Sequence, residues 1–198
     1  MRKIVLSLTG LVICFMIKAQ TSIADEEFIS SFSPNEKGAT VHYQGKSHAF
    51  TLDIVAKEVK TTDNPGFYLA DNHIVQVSTV PLPPVKLDLS RLTDAQQKQA
   101  LSAYVDYEMT YFQNKLKLKC NDLKKDWIVI NSRLFLLWHF NMHTADDNEV
   151  KQQIYLSTIC FNQVLDLNTI VLKGEDYPQQ EQVLKNLANT LKTFDKAL

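Results

Sequence analysis

The stretch that decides the fold runs from Trp127 to Leu172: WIVINSRLFLLWHFNMHTADDNEVKQQIYLSTICFNQVLDLNTIVL. Four runs rich in β-branched and aromatic residues lie within it: Trp127 to Ile130, Leu134 to Phe140, Val150 to Phe161 and Leu165 to Leu172. They are separated by Asn131-Ser132, by the polar segment Thr144 to Glu149, and by Asn162-Gln163. Runs of this composition bounded by turn formers read as strands, and connections this short join antiparallel neighbours. The spacing therefore predicts a four-strand antiparallel meander.

Working outward toward the N-terminus, the next element is helical. Leu101, Val105, Met109, Phe112 and Leu116 recur at three and four residues and form one apolar stripe. Thr93 and Gln96 suit a capping box at its start, in which the threonine oxygen accepts an orphan backbone N–H and the glutamine reaches back. The helix is expected to end near Leu118, with Lys115, Lys117 and Lys119 at the negative end of its dipole. Before it, β-branched alternation from Ile74 to Val80 reads as a strand whose end is set by Pro81, Pro83 and Pro84. Asn64-Pro65-Gly66 marks a loop, and Phe67 to Ala70 is either a short strand or a turn. Phe28 to Phe32, Ala39 to Tyr43 and His48 to Val55 read as three further strands, the last two a hairpin. Toward the C-terminus, Pro178 suits a first helical turn, and Leu184, Leu187, Leu191 and Phe194 predict a second amphipathic helix running to the end of the chain. Together these elements predict an α+β fold, an antiparallel sheet flanked by two amphipathic helices.

That layout resembles the Mog1/PsbP-like fold, an α/β/α sandwich, and in particular its exported bacterial proteins of unassigned activity. The resemblance spans about Val41 to the C-terminus. It rests on the strand Asp71-Asn72-His73-Ile74-Val75-Gln76-Val77, the helix Leu101 to Leu116, Tyr155-Leu156-Ser157-Thr158 in the meander, and Leu187-Ala188-Asn189-Thr190-Leu191. The proline–tryptophan pair that such proteins often carry after the first hairpin is absent near Val55. The resemblance implies a scaffold for binding unlike partners, not a reaction.

At the N-terminus, Arg2 and Lys3 precede an apolar run from Ile4 to Ile17, too short for a spanning helix, and Ala19 offers a small residue at a cleavage point. Residues 1–19 are expected to be a cleaved signal peptide, 20–27 a flexible leader, and 28–198 a single domain in the periplasm or outside the cell. Two rivals are an uncleaved anchor, in which the signal segment itself would touch a membrane, and a lipoprotein with Cys14 acylated. Loss of Arg2, Lys3 and Lys18 leaves 18 basic residues against 22 acidic, a formal charge of -4. Without a basic stripe, binding to a nucleic-acid backbone is not expected.

Cys120 and Cys160 remain in the mature chain, where they either pair as a disulfide or stay as separate core thiols. His139 and His143 flank Asn141, with Asp146 and Asp147 in the following turn. On a strand, residues four apart stand about 13 Å from one another, too far for both imidazoles to grip one ion. Neither a metal nor another cofactor is expected. Cys160 lacks any local group to activate its thiol toward His139, and no Gly-x-Ser-x-Gly elbow or phosphate-cradling loop occurs. Tyr104, Tyr107 and Tyr111 recur at helical spacing beside the apolar stripe and are the candidates for a ligand groove. The sequence thus favours an exported non-catalytic domain that binds a protein or small ligand in the cell envelope. The alternative is a hydrolase-type enzyme with a spatially assembled site near His139, His143 and Asp146.

Overall fold

The computed structural model describes residues 26–82, 92–143 and 150–195. The expected signal segment with Cys14, the prolines at 83 and 84, Asp146 and Asp147 lie outside them, as does the side chain of His143. In chain order the elements are β1 (Ile29–Asn35), β2 (Gly38–Gln44), β3 (His48–Val55), β4 (Val59–Thr61), β5 (Phe67–Ala70), β6 (His73–Pro81), α1 (Asp94–Asn114), β7 (Lys119–Ile130), β8 (Arg133–His143), β9 (Val150–Cys160), β10 (Gln163–Leu172), α2 (Tyr177–Asn189) and β11 (Lys192–Asp195).

The predicted meander forms the larger part of a seven-stranded sheet of order β4-β5-β6-β10-β9-β8-β7. Its hairpins are tight because both central residues take positive φ at Asp71-Asn72, Asn131-Ser132 and Phe161-Asn162, the geometry whose twist matches that of the strands it joins. Strand β8 is buried on both faces: Leu136, Trp138, Phe140 and Met142 point to one side, Phe135 and Leu137 to the other. Helix α1 covers the first face. It opens with the expected capping box, the Gln96 N–H donating to Thr93 Oγ1 at 3.3 Å and the Thr93 N–H to Gln96 Oε1 at 2.9 Å.

The second face carries what the sequence reading did not foresee. A separate four-stranded sheet of order β1-β2-β3-β11 packs there beside α2, so the α/β/α sandwich is corrected to a strand-dominated architecture with two sheets and two helices among the described residues. The alternation of β2 (Ala39, Val41 and Tyr43 buried) and of β3 (Phe50, Leu52 and Ile54 buried) fixes which side faces a core. The period of a hairpin does not encode which sheet it joins. Gly38 allows this hairpin to close, since a Cβ there would stand 2.1 Å from the Ile54 carbonyl oxygen at a φ of +137°.

Two boundaries also change. The last helix ends at Asn189, and the chain returns as β11 to pair with β3. Thr190 caps the exit, its Oγ1 accepting the Asp53 N–H at 2.8 Å. Leu191 and Phe194 therefore continue the helical spacing without being helical. Helix α1 stops at Asn114, and the polar segment from Lys119 is already strand, paired with β8 from His143 onward. Of the three lysines expected at the end of α1, Lys115 is its C-cap and Lys119 opens β7.

Candidate functional site

Beneath α1 the sheet carries a cluster of polar side chains sealed into an aromatic core. Asp166 of β10 lies directly opposite Ser157 of β9, whose hydroxyl donates to Asp166 Oδ1. Trp138, one step along β8, reaches diagonally to donate its indole N–H to Ser157 Oγ at 2.9 Å. From the helix, the Tyr104 hydroxyl donates to Asp166 Oδ2 at 3.2 Å. Tyr155 stacks on its cross-strand partner Trp138 with ring centroids 4.0 Å apart, and its hydroxyl donates to Gln153 Oε1. Glu108 completes the set from the next turn of α1 and is only 4% exposed.

Burial dominates the electrostatics here. It pushes the Asp166 carboxyl up to about 7, even though the hydrogen bonds from Ser157 and Tyr104 pull the other way. Glu108 is likewise pushed up to about 7, by burial first and by the nearby Asp166 charge second. Two acids titrating near neutrality as a coupled pair is a pattern common at catalytic sites. Here each carboxyl oxygen of Asp166 accepts one hydrogen bond from the core, and neither of the two surface cavities described below is lined by any member of the cluster. What the arrangement does is hold α1 to the sheet, through the Tyr104–Asp166 hydrogen bond.

The candidates from sequence are dispersed. Tyr104 belongs to the buried cluster, Tyr107 is 45% exposed, and Tyr111 sits at the cluster's margin, and none of the three lines either cavity described below. Cys120 and Cys160 are free thiols. Cys120 lies beside Met142 on β7, while Cys160 ends β9, eight residues from Gln152 and hence about 27 Å along the sheet. Strand register therefore corrects the disulfide reading. The same register pairs His139 with Ile154, six residues from Cys160, which separates that thiol from its supposed base by about 20 Å. Burial pushes the Cys160 thiol up to about 11, against the influence of Arg133, which keeps it protonated near neutral pH and disfavours the nucleophilic thiolate. His139 packs on Tyr177 of α2 with centroids 4.6 Å apart. Burial and Lys124 depress its pKa, opposed by Asp126, Glu181 and Asp122. Its Nδ1 is buried without a hydrogen bond. Among the described residues no group of three or more His, Cys, Asp or Glu side chains could hold a metal ion. Glu108 inside the apolar stripe of α1, and Asp166 within the apolar run of β10, were legible signals of the cluster: a charge within an apolar run demands an explanation.

Two of the concave surfaces among the described residues concern the site. One, of about 360 Å³, lies between α2 and edge strand β7. The other, of about 420 Å³, lies where the β7–β8 and β9–β10 turns meet the start of α1, and Asp94, Gln97, Ser132, Arg133, Cys160 and Thr193 are among the residues around it. Arg133 crosses this second cavity, donating to Thr193 Oγ1 at 3.3 Å and to the Cys160 sulfur. Phe161 on its rim holds a φ of +50°, rare for an aromatic residue, and stacks on His48 at 4.3 Å.

No protein-family model matches this chain, and no curated protein matches it. Among solved structures it is similar to the solution structure of cyanobacterial PsbP (CyanoP) from Synechocystis sp. PCC 6803, at 10% identity over 90% of this chain and 99% of that one, with a TM-score of 0.45. The neighbour is of the PsbP type, as is part of the resemblance read from the sequence. A likeness at that level concerns outline and carries nothing about ligand, compartment or activity. Among the described residues no helix is long and apolar enough to cross a membrane.

Proposed function

We propose that this protein is an exported, non-catalytic binding domain of the cell envelope, and that its ligand seat is the cavity around Arg133. The observation that carries the reading is a division of chemistry. The groups whose pKa values would suit acid–base work are sealed under α1, whereas the cavity at the turn end presents hydrogen-bonding groups and one guanidinium without an activated nucleophile. Export is supported by Arg2, Lys3 and the short apolar run that ends before Ala19.

Two measurements test it. Intact mass of the protein recovered from its host is expected to begin at Gln20, with both thiols alkylated once the chain is unfolded without reductant. A mass retaining Met1, or lipid on Cys14, would overturn the soluble exported form. Incubation with chromogenic esters, phosphates and peptides is expected to give no turnover. Hydrolysis lost on replacing a residue of the cavity would overturn the non-catalytic reading.

A further inference from the structure

We infer that the cavity around Arg133 takes a ligand bearing both a carboxylate and an ammonium group, an amino acid or short peptide. This deepens the proposed function and rests on it. Two opposite charges face this one space without meeting. Arg133, half-buried at the start of β8, is held by Thr193 and the Cys160 sulfur, and none of the ion pairs among the described residues includes it. Asp94, exposed in the first turn of α1, lines the same cavity and is likewise in none of those ion pairs.

A planar guanidinium offers a carboxylate two parallel donors, and its anchoring by neutral partners leaves its charge unneutralised. A lone anion bound there would meet the Asp94 carboxylate across the cavity, and a lone cation would meet Arg133. A zwitterion satisfies both. Gln97 and Ser132 add neutral hydrogen-bonding groups, and Leu134 with Ile159 adds apolar lining suited to a small side chain. The volume of about 420 Å³ falls in the range of small-ligand sites. Asp94 is open to water, so its contribution is screened, and the ammonium is recognised less strongly than the carboxylate.

The test is an amide NMR titration of the mature chain with glycylglycine, with its N-acetylated form (carboxylate only) and with its C-terminal amide (ammonium only). Glycylglycine is expected to shift the amides of residues 94–97 and 131–133, binding about fivefold more tightly than the acetylated form, the scale a screened charge pair supplies. R133Q is expected to weaken glycylglycine about tenfold, as loss of a charge-assisted bidentate contact does. D94N should remove the advantage of glycylglycine over its acetylated form without weakening the latter, an outcome no general loss of structure would produce. Equal binding of glycylglycine and the acetylated form would overturn the zwitterion and leave an anion-binding domain standing. No shift at the cavity with any of the three would overturn the inference and the ligand seat together.

Discussion

The two faces of the seven-stranded sheet are closed by different chemistry. Under α1 the core is aromatic and threaded with polar groups, Trp138, Tyr155 and Phe140 stacking around Asp166, Ser157 and Tyr104. Under the small sheet and α2 the core is largely aliphatic, built from Val41, Leu52, Ile54, Leu156, Leu167 and Leu184, with the Tyr43 hydroxyl satisfied by the Val77 carbonyl at 3.1 Å. The second face is closed mainly by apolar burial, which is non-directional. The first is specified by hydrogen bonds that demand one placement of α1, and it carries carboxyls whose state changes with pH. One sheet thus supports a permissive face and a conditional one.

The largest way to break this contrast is to cut its aromatic centre. Trp138→Ala is expected to destabilise the chain by about 4 kcal/mol, since it removes a fully buried ring and leaves Ser157 Oγ without its indole donor. Leu156→Ala on the aliphatic face should cost about 3 kcal/mol through cavity formation alone. Urea unfolding of both measures the difference. A tryptophan variant no less stable than the leucine variant would mean that the polar threading contributes nothing.

The next effect separates the faces by pH. The Asp166 carboxyl is held near 7 in the fold, against an ordinary value of 3.8, so the folded state keeps a proton that the unfolded chain releases. The associated stability is fully present below about pH 4 and is lost as pH rises to about 7, after which the curve flattens; the loss is of order 2 to 4 kcal/mol, shared with Glu108. Asp166→Asn is expected to reduce this fall, leaving the part set by burial of Glu108, and to leave the variant more stable than the parent at pH 8. Leu156→Ala should keep the parental slope at a lower level. Thermal unfolding from pH 3 to 9 reads both, and an unchanged slope in Asp166→Asn would place the titrating group elsewhere.

The sequence carried the meander, the capping box of α1 and the proline-led start of α2, because each rests on local chemistry: turn pairs, a Thr–Gln exchange, a fixed φ. Whatever depends on partners distant along the chain was hidden. β11 follows a helical spacing through Leu191 and Phe194 and is a strand because the edge of β3 is open to it. The polar residues from Lys119 to Asp126 lack a strand pattern and pair only because β8 runs alongside. Cys120 and Cys160 invited a bridge by number alone, and register places them far apart. At the site, Arg133 and Asp94 carry no motif, and only the convergence of two turns and a helix start puts them around one cavity.

Smaller effects sharpen the comparison at the helix ends. Thr93→Ala removes the capping box of α1 and should cost about 1 kcal/mol, with amide exchange rising only in the first turn of that helix. Thr190→Ala leaves the Asp53 N–H without its acceptor and should cost a similar amount, about 1 kcal/mol, but loosen β3 together with the exit of α2. Exchange confined to one helix in the first variant and shared with the small sheet in the second would mark which face each cap serves.

The smallest effect asks whether surface charge, rather than the buried cluster, docks α1. Lys125 Nζ of β7 and Asp106 Oδ1 of α1 form an ion pair at 2.6 Å, with the Asp106 side chain 70% exposed. Asp106→Asn is expected to cost less than about 0.5 kcal/mol, because water screens the pair and ordering two long side chains offsets most of the attraction. That cost should vanish at about 1 M salt, where the screening length falls to about 3 Å, while the slope set by Asp166 persists because its surroundings exclude ions. A loss above about 1 kcal/mol that salt does not remove would mean that α1 is fastened from outside. The buried acids would then be passengers of the packing, and the conditional character of this face would belong to its rim.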